Sequence, residues 1–171
     1  ESHVQELQRK AALLPQDIEW HFIGHLQTNK VKYIAPYVSL IHAVDSERLL
    51  AEIDKQGSRI GRKIPCLLQL HIAREETKFG FSIEELLHLL DSGAHLAYNS
   101  VTISGLMCMA SNVDDDEQIA DEFVRAHALF LTLKDRYFKH NTEFAECSWG
   151  MSDDYPLAIA HGSTLVRIGS K

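Results

Sequence analysis

Short apolar runs alternate along this chain with segments whose apolar residues recur every three or four positions. The stretch 65–72 (PCLLQLHI) is almost continuously apolar, the pattern of a strand covered on both faces. Similar runs at 20–25 (WHFIGH), 39–44 (SLIHAV), 101–109 (VTISGLMCM), 144–150 and 164–169 (TLVRIG) predict further strands. Helical patterns fall between them. One spans about 46–56, and another opens on the capping-box pattern Ser82-Ile83-Glu84-Glu85 and ends near Gly93. The clearest carries the stripe Ile119, Phe123, Ala126, Phe130, Leu133 and Tyr137. Asp114, Asp115, Asp116 and Glu117 sit at its positive end, and Lys134 and Arg136 near its negative end. A short helix is expected over 152–160, opened by Ser152 and stopped by Gly162.

Six β/α units in strict succession imply parallel strands joined by right-handed crossovers, an α/β fold. An open doubly wound sheet and a TIM (β/α)8 barrel both fit this order. The first strand is not followed by G-x-G-x-x-G, which weakens the dinucleotide-binding form of the open sheet. A barrel has eight units and typically ~250 residues. The chain begins within what reads as a loop-to-helix segment and stops just after a strand. The expectation is therefore one barrel domain over 1–171, holding strands three to eight, with its first two β/α units missing and its C-terminal end incomplete.

Composition narrows the function classes. The 171 residues are 45% hydrophobic and 24% charged, ordinary for a soluble globular domain. A net charge of −7 with scattered Lys and Arg speaks against nucleic-acid binding. No apolar run is long enough to span a bilayer, and the polar opening ESHVQE is not a signal peptide. Cys66, Cys108 and Cys147 lie far apart, without any C-x-x-C. That argues against a disulfide framework or a thiolate zinc site and for reduced, buried thiols in the cytosol.

Ligand sites of such barrels lie at the C-terminal ends of the strands, and a phosphate often sits after the last two, against a helix N-terminus. Here those loops are Gly150-Met151-Ser152-Asp153-Asp154 and Gly169-Ser170-Lys171. Small residues there let an anion approach backbone N–H groups. Arg167, two residues before Gly169, shares its side of the strand and is expected inside the barrel. The bland alternative is an ordinary helix start at Ser152, whose Asp153 and Asp154 would repel phosphate, and a plain turn at Gly169-Ser170. Lys78 lies in a loop at the same end, as a solvated lysine or a second amine. His21 and His25 share a strand face but lack a third ligand spaced to join them, so they read as core or rim histidines. Gln27, Asn29 and Lys30 line the mouth or cap the next helix; Met107 and Met109 read as core.

The segments HFIGHLQTNK (21–30), EETKFGF (75–81), ISGLMCMA (103–110), GMSDD (150–154) and GSTLVRIGS (162–170) closely resemble, in order and spacing, the YggS/PROSC family of pyridoxal phosphate homeostasis proteins. The resemblance covers essentially the whole chain. It implies a barrel similar to the N-terminal domain of alanine racemase, with pyridoxal 5′-phosphate at the strand C-termini. Ser152, with Met151 beside it, and the amides of Gly169 and Ser170 would hold the phosphate. Arg167 would face the pyridine nitrogen and keep it unprotonated, which makes the ring a poor electron sink. The family's Schiff-base lysine falls upstream of Glu1, so no lysine of this chain matches it. Many relatives have asparagine where this chain has Ser2, so a contact from that loop is a further candidate.

The resemblance points to a non-catalytic protein that holds pyridoxal phosphate and delivers it to apo pyridoxal phosphate-dependent enzymes. A small barrel enzyme acting on a phosphorylated metabolite, or a racemase-like enzyme, is the alternative. A racemase would need a second domain and a tyrosine base.

Overall fold

The computed structural model describes residues 1–74, 76 and 79–169. Two of the expected site residues, Lys78 and Ser170, lie outside the described residues.

Six strands form one sheet in sequence order: β1 (His21–Phe22), β2 (Leu40–Val44), β3 (Ile64–Leu70), β4 (Val101–Cys108), β5 (Glu146–Met151) and β6 (Leu165–Arg167). Every neighbouring pair is parallel. Among the described residues six α-helices accompany them: α1 (Val4–Leu13), α2 (Val31–Ile34), α3 (Glu47–Ile60), α4 (Ile83–Asp91), α5 (Asp116–Tyr137) and α6 (Tyr155–Ala160). No G-x-G-x-x-G turn and no switch in strand order interrupts the sheet, so the doubly wound alternative falls away.

The sheet is curled. β2 and β5 are separated by β3 and β4, a flat spacing of about 14 Å at ~4.8 Å per strand. Yet the side chains of His42 on β2 and Ser148 on β5 lie 2.8 Å apart. Only a half-barrel, with its inner faces turned toward each other, permits that contact. The two sides of the sheet accordingly carry two apolar clusters. The large one packs the outer face against the helices and includes Trp149, Phe123, Ile53 and Leu68. The small one lines the inner face with Leu40, Ala43, Leu67 and Met107. Strands apolar on both faces are what this architecture requires.

Local sequence fixes the element ends. Ser46 caps α3 by accepting from the Leu49 amide, and Gly61 closes it in the left-handed conformation that L side chains avoid. Ser82 and Glu85 form the expected reciprocal capping box on α4. Asp115 caps α5 through its Oδ1, which takes the Glu117 and Gln118 amides. The acids near Glu117 thus serve the helix terminus. Beneath α5, Phe138 stacks on Phe144 at 4.1 Å and Phe130 at 5.0 Å from the same ring, tying the helix to the entry of β5.

Three expected boundaries are corrected. The first strand is two residues rather than the span 20–25, because it pairs only with the start of β2, at Leu40 and Ile41. The last strand ends at Arg167, leaving Gly169 beyond it. The helix expected from Ser152 begins at Tyr155, with residues 152–154 forming a turn and Pro156 in its first turn. Pro lacks the N–H that a first helical turn leaves unbonded, so it favours a start there.

Candidate functional site

Polar groups on the inner face converge on Arg167, near the end of β6. Its relative exposure is 8%. Nη1 donates to the Ser148 carbonyl oxygen at 2.7 Å and to Ser148 Oγ at 2.8 Å, and Nη2 donates to the Cys108 carbonyl oxygen at 3.0 Å. All three acceptors are uncharged. No carboxylate forms an ion pair with Arg167 among the described residues. Burial lowers its pKa from the ordinary arginine value, opposed by Cys108 and Asp154, but an arginine remains charged at neutral pH. A guanidinium has five N–H donors, and the contacts above use three. The Nε hydrogen and one Nη2 hydrogen have no acceptor among the described residues. A buried cation with spare donors and no carboxylate is costly to fold, and such groups cluster at functional sites.

The tips of β5 and β6 meet beside it. Ser152 Oγ accepts the Gly169 N–H at 3.2 Å, so the two expected phosphate loops are joined directly. The Ser152 hydroxyl proton is left without a protein acceptor among the described residues. Both termini of this junction are open: Gly169 is exposed, with empty space where a side chain would lie, and Met151 is 41% exposed. Asp154 turns its carboxylate back onto the Met151 amide at 2.6 Å. One of the two acids expected to repel an anion is thereby engaged locally. Gly150 permits the turn, at φ +93, where a Cβ would run into the Ala158 methyl.

Arg74, after β3, and Ser111, after β4, are held from behind. Glu122 of α5, fully buried, accepts from the Ser111 amide and hydroxyl, each at 2.7 Å, and Ser111 Oγ in turn accepts the Arg74 amide at 3.0 Å. At the rim, His25 pairs with Asp45 at 3.1 Å and stacks on Phe79, ring centres 4.0 Å apart. His25 is therefore not joined to His21. Ser2 is exposed and its hydroxyl lies 3.4 Å from His3 Nδ1, while its backbone carbonyl presses on Gly24. Met107 is buried in the inner cluster and Met109 packs against it. All three cysteines are free and buried, and burial raises their thiol pKa values, that of Cys147 to about 12. No group of three or more potential metal ligands occurs among the described residues. No helix there is long and apolar enough to cross a membrane.

Two residues of this constellation escape a sequence reading: His42 and Ser148. His42 Nδ1 lies 2.8 Å from Ser148 Oγ, and its Nε2 lies 3.0 Å from His21 Nδ1. The signal is faint. It consists of a titratable ring inside the apolar run SLIHAV and a hydroxyl inside CSWG, on strands buried on both faces. Burial, then His21 and Arg167, lower the His42 pKa to about 3. Unfolded, the same ring titrates near 6.5. Between these values the unfolded chain takes up a proton that the folded chain refuses. The contribution of His42 to stability is thus complete above pH 6.5 and is lost as pH falls. Partial burial lowers the His21 pKa in the same direction. Urea denaturation at pH 7, 6 and 5 is expected to show a loss approaching about 1.4 kcal/mol per pH unit below 6.5. The variant His42→Gln is expected to show a clearly flatter profile. Equal slopes in the two proteins would refute this assignment.

A family model described as the N-terminal domain of alanine racemase matches residues 1–171. The pyridoxal phosphate homeostasis protein of Aquifex aeolicus is 37% identical over 171 residues, covering 99% of this chain and 73% of that protein. Its counterpart in Helicobacter pylori is 36% identical over 172 residues, with the same coverage. Among solved structures, PipY of Synechococcus elongatus without PLP superposes with a TM-score of 0.91 at 31% identity, over 99% of this chain and 78% of that one. The PLP-bound form of PipY gives 0.84 at 30% identity, over 99% and 77%. Alanine racemase from Bartonella henselae, at 15% identity and a TM-score of 0.68 over 98% and 45%, shares the fold. The chain belongs to the alanine racemase N-terminal domain family, in its branch of YggS/PROSC pyridoxal phosphate homeostasis proteins.

Proposed function

We propose that this chain binds pyridoxal 5′-phosphate at the C-terminal ends of β5 and β6 and holds it for delivery to apo-enzymes, without turning over a substrate. The observation that carries this reading is the buried Arg167, which keeps two donors free and has no carboxylate partner among the described residues. The naming of the relatives and the PLP-bound PipY structure support it.

The donor set suits the ligand. When bound, pyridoxal phosphate supplies an aldehyde, a phosphate and an electron-accepting ring. The free hydroxyl proton of Ser152 and the open backbone at Gly169 are the groups assigned to the phosphate, and Met151 and Ser170 belong to the same assignment. Arg167 is assigned to the pyridine nitrogen. A guanidinium does not release its proton there, so it holds the nitrogen as an acceptor and suppresses carbanion chemistry. Lys78 and Ser2 remain secondary candidates. The two outer edges of the curled sheet, β1 and β6, support a fuller barrel in which two more β/α units pair with them. Residues 1–171 then form one domain of that barrel, in a cytosolic protein.

Titration of the purified protein with pyridoxal phosphate tests this. A saturable change in the ligand's visible absorption, competed by inorganic phosphate, is expected, together with a rise in Tm. Amino acids should be neither racemised nor decarboxylated faster than by free pyridoxal phosphate. A protein stabilised by phosphorylated sugars but not by pyridoxal phosphate would overturn the ligand. Robust racemase or decarboxylase activity would overturn the non-catalytic role.

A further inference from the structure

We propose that Ser148 and His42 are positioning residues for Arg167: a directed hydrogen-bond relay from the guanidinium through Ser148 and His42 to His21 takes the place of a carboxylate partner and fixes which N–H groups Arg167 offers a ligand. The ligand part rests on the reading under Proposed function. The relay itself stands on geometry alone.

Four residues from four strands make the relay: Arg167 (β6), Ser148 (β5), His42 (β2) and His21 (β1), with successive contacts of 2.8, 2.8 and 3.0 Å. Donor counting gives it a direction. Arg167 has only donors, so Ser148 Oγ accepts from Nη1. The single Ser148 proton then needs an acceptor, and His42 Nδ1 is the one in reach. With Nδ1 accepting, neutral His42 carries its proton on Nε2 and donates to His21 Nδ1. His21 therefore carries its own proton on Nε2. It is half-buried and lines an opening of about 400 Å³ at the N-terminal ends of the strands, with Glu19 and Glu146. The reverse direction would leave the Ser148 proton without an acceptor among the described residues. Every lone pair in the relay thus points back toward the cation.

This arrangement has a chemical consequence. A carboxylate would orient the guanidinium equally well but would also neutralise it. Aligned neutral dipoles orient it and leave its full charge facing the mouth of the site. Ser148 accepts twice from one nitrogen, through Oγ and its carbonyl, so Nη1 is fully occupied and Nε and one Nη2 hydrogen remain. Without the hydroxyl, the fork can rotate and expose a different edge.

Two measurements decide the matter. In 15N-histidine NMR of the wild type, His42 is expected to be neutral and protonated on Nε2, and restricted rotation of the Arg167 guanidinium is expected without any variant being made. A His42 protonated on Nδ1 overturns the relay, as does a freely rotating Arg167. In Ser148→Ala, the His42 Nδ1 resonance should shift to that of a free lone pair. Pyridoxal phosphate affinity should fall about tenfold, the effect of one charge-assisted hydrogen bond. The absorption maximum of the bound ligand should also move, and Ser148→Thr should restore both. Unchanged affinity and spectrum in Ser148→Ala overturn the positioning role. If the wild type takes up no pyridoxal phosphate, the proposed ligand fails, and the tautomer and rotation data still decide the relay.

Discussion

Arg167→Met is expected to weaken pyridoxal phosphate binding about thirtyfold or more while leaving the unliganded chain at least as stable as the wild type. The two effects have opposite signs for one reason. Arg167 is almost wholly buried and faces only uncharged acceptors, Ser148 and Cys108. Desolvating its charge costs several kcal/mol that no carboxylate offsets. A methionine, unbranched and uncharged, removes that cost. What is lost in exchange is three hydrogen bonds to uncharged acceptors, the Ser148 carbonyl and hydroxyl and the Cys108 carbonyl. For the ligand, removal of a buried, hydrogen-bonded charge costs about 2 kcal/mol or more, about thirtyfold in Kd. Equilibrium dialysis and urea denaturation of both proteins provide the comparison. A variant that binds normally would sink the assignment of Arg167 to the ligand. A variant that binds poorly but is also strongly destabilised would show that Arg167 serves the fold instead.

Gly105→Ala is expected to be the most damaging single methyl addition in the sheet, with a loss of about 3 kcal/mol or more or failure to fold. Gly105 sits at φ +149, a conformation open essentially to glycine alone. It follows a bulge: Cys66 pairs with Ile103, but Leu67 pairs with Gly105, so Ser104 is the extra residue. On its other side Gly105 pairs with Glu146, the first residue of β5, and a Cβ would collide with the Glu146 backbone. The clash is with the Glu146 main chain of the neighbouring strand, so no side-chain rotation relieves it. Displacing β5 also displaces Ser148 and the turn that holds Ser152, so ligand binding should disappear along with stability. A urea midpoint equal to that of the wild type would contradict this account. Gly93, by contrast, has only the flexible Leu96 side chain near its missing Cβ, and Gly61 has nothing.

Much of this molecule was legible in the residues themselves. The continuous apolar runs gave β3 and β4 almost to the residue, because strands covered on both faces leave no room for polar side chains. The Ser82–Glu85 capping box and the acids 114–117 at the positive end of the long helix marked helix starts, because such bonds and charges act within a few residues of chain. The GMSDD and RIG segments marked the strand tips that meet at Ser152 and Gly169. Errors arose where local pattern and tertiary pairing disagreed. Ser152 resembles a helix cap, yet its hydroxyl is taken by Gly169, seventeen residues away, and the helix waits until Tyr155. The apolar 20–25 segment resembles a full strand, yet only His21 and Phe22 find partners on β2.

Hydrophobic periodicity and capping chemistry are properties of neighbouring residues, and so the sequence by itself determined the order of elements and the parallel α/β class. The curl of the sheet depends on how six strands twist and pack together. It alone decided that His42 and Ser148, 106 positions apart, would lie within hydrogen-bond distance inside the half-barrel, and that Arg167 would be buried without a carboxylate partner among the described residues. Contacts of that kind are set by the closing of a surface, which no short window of sequence encodes.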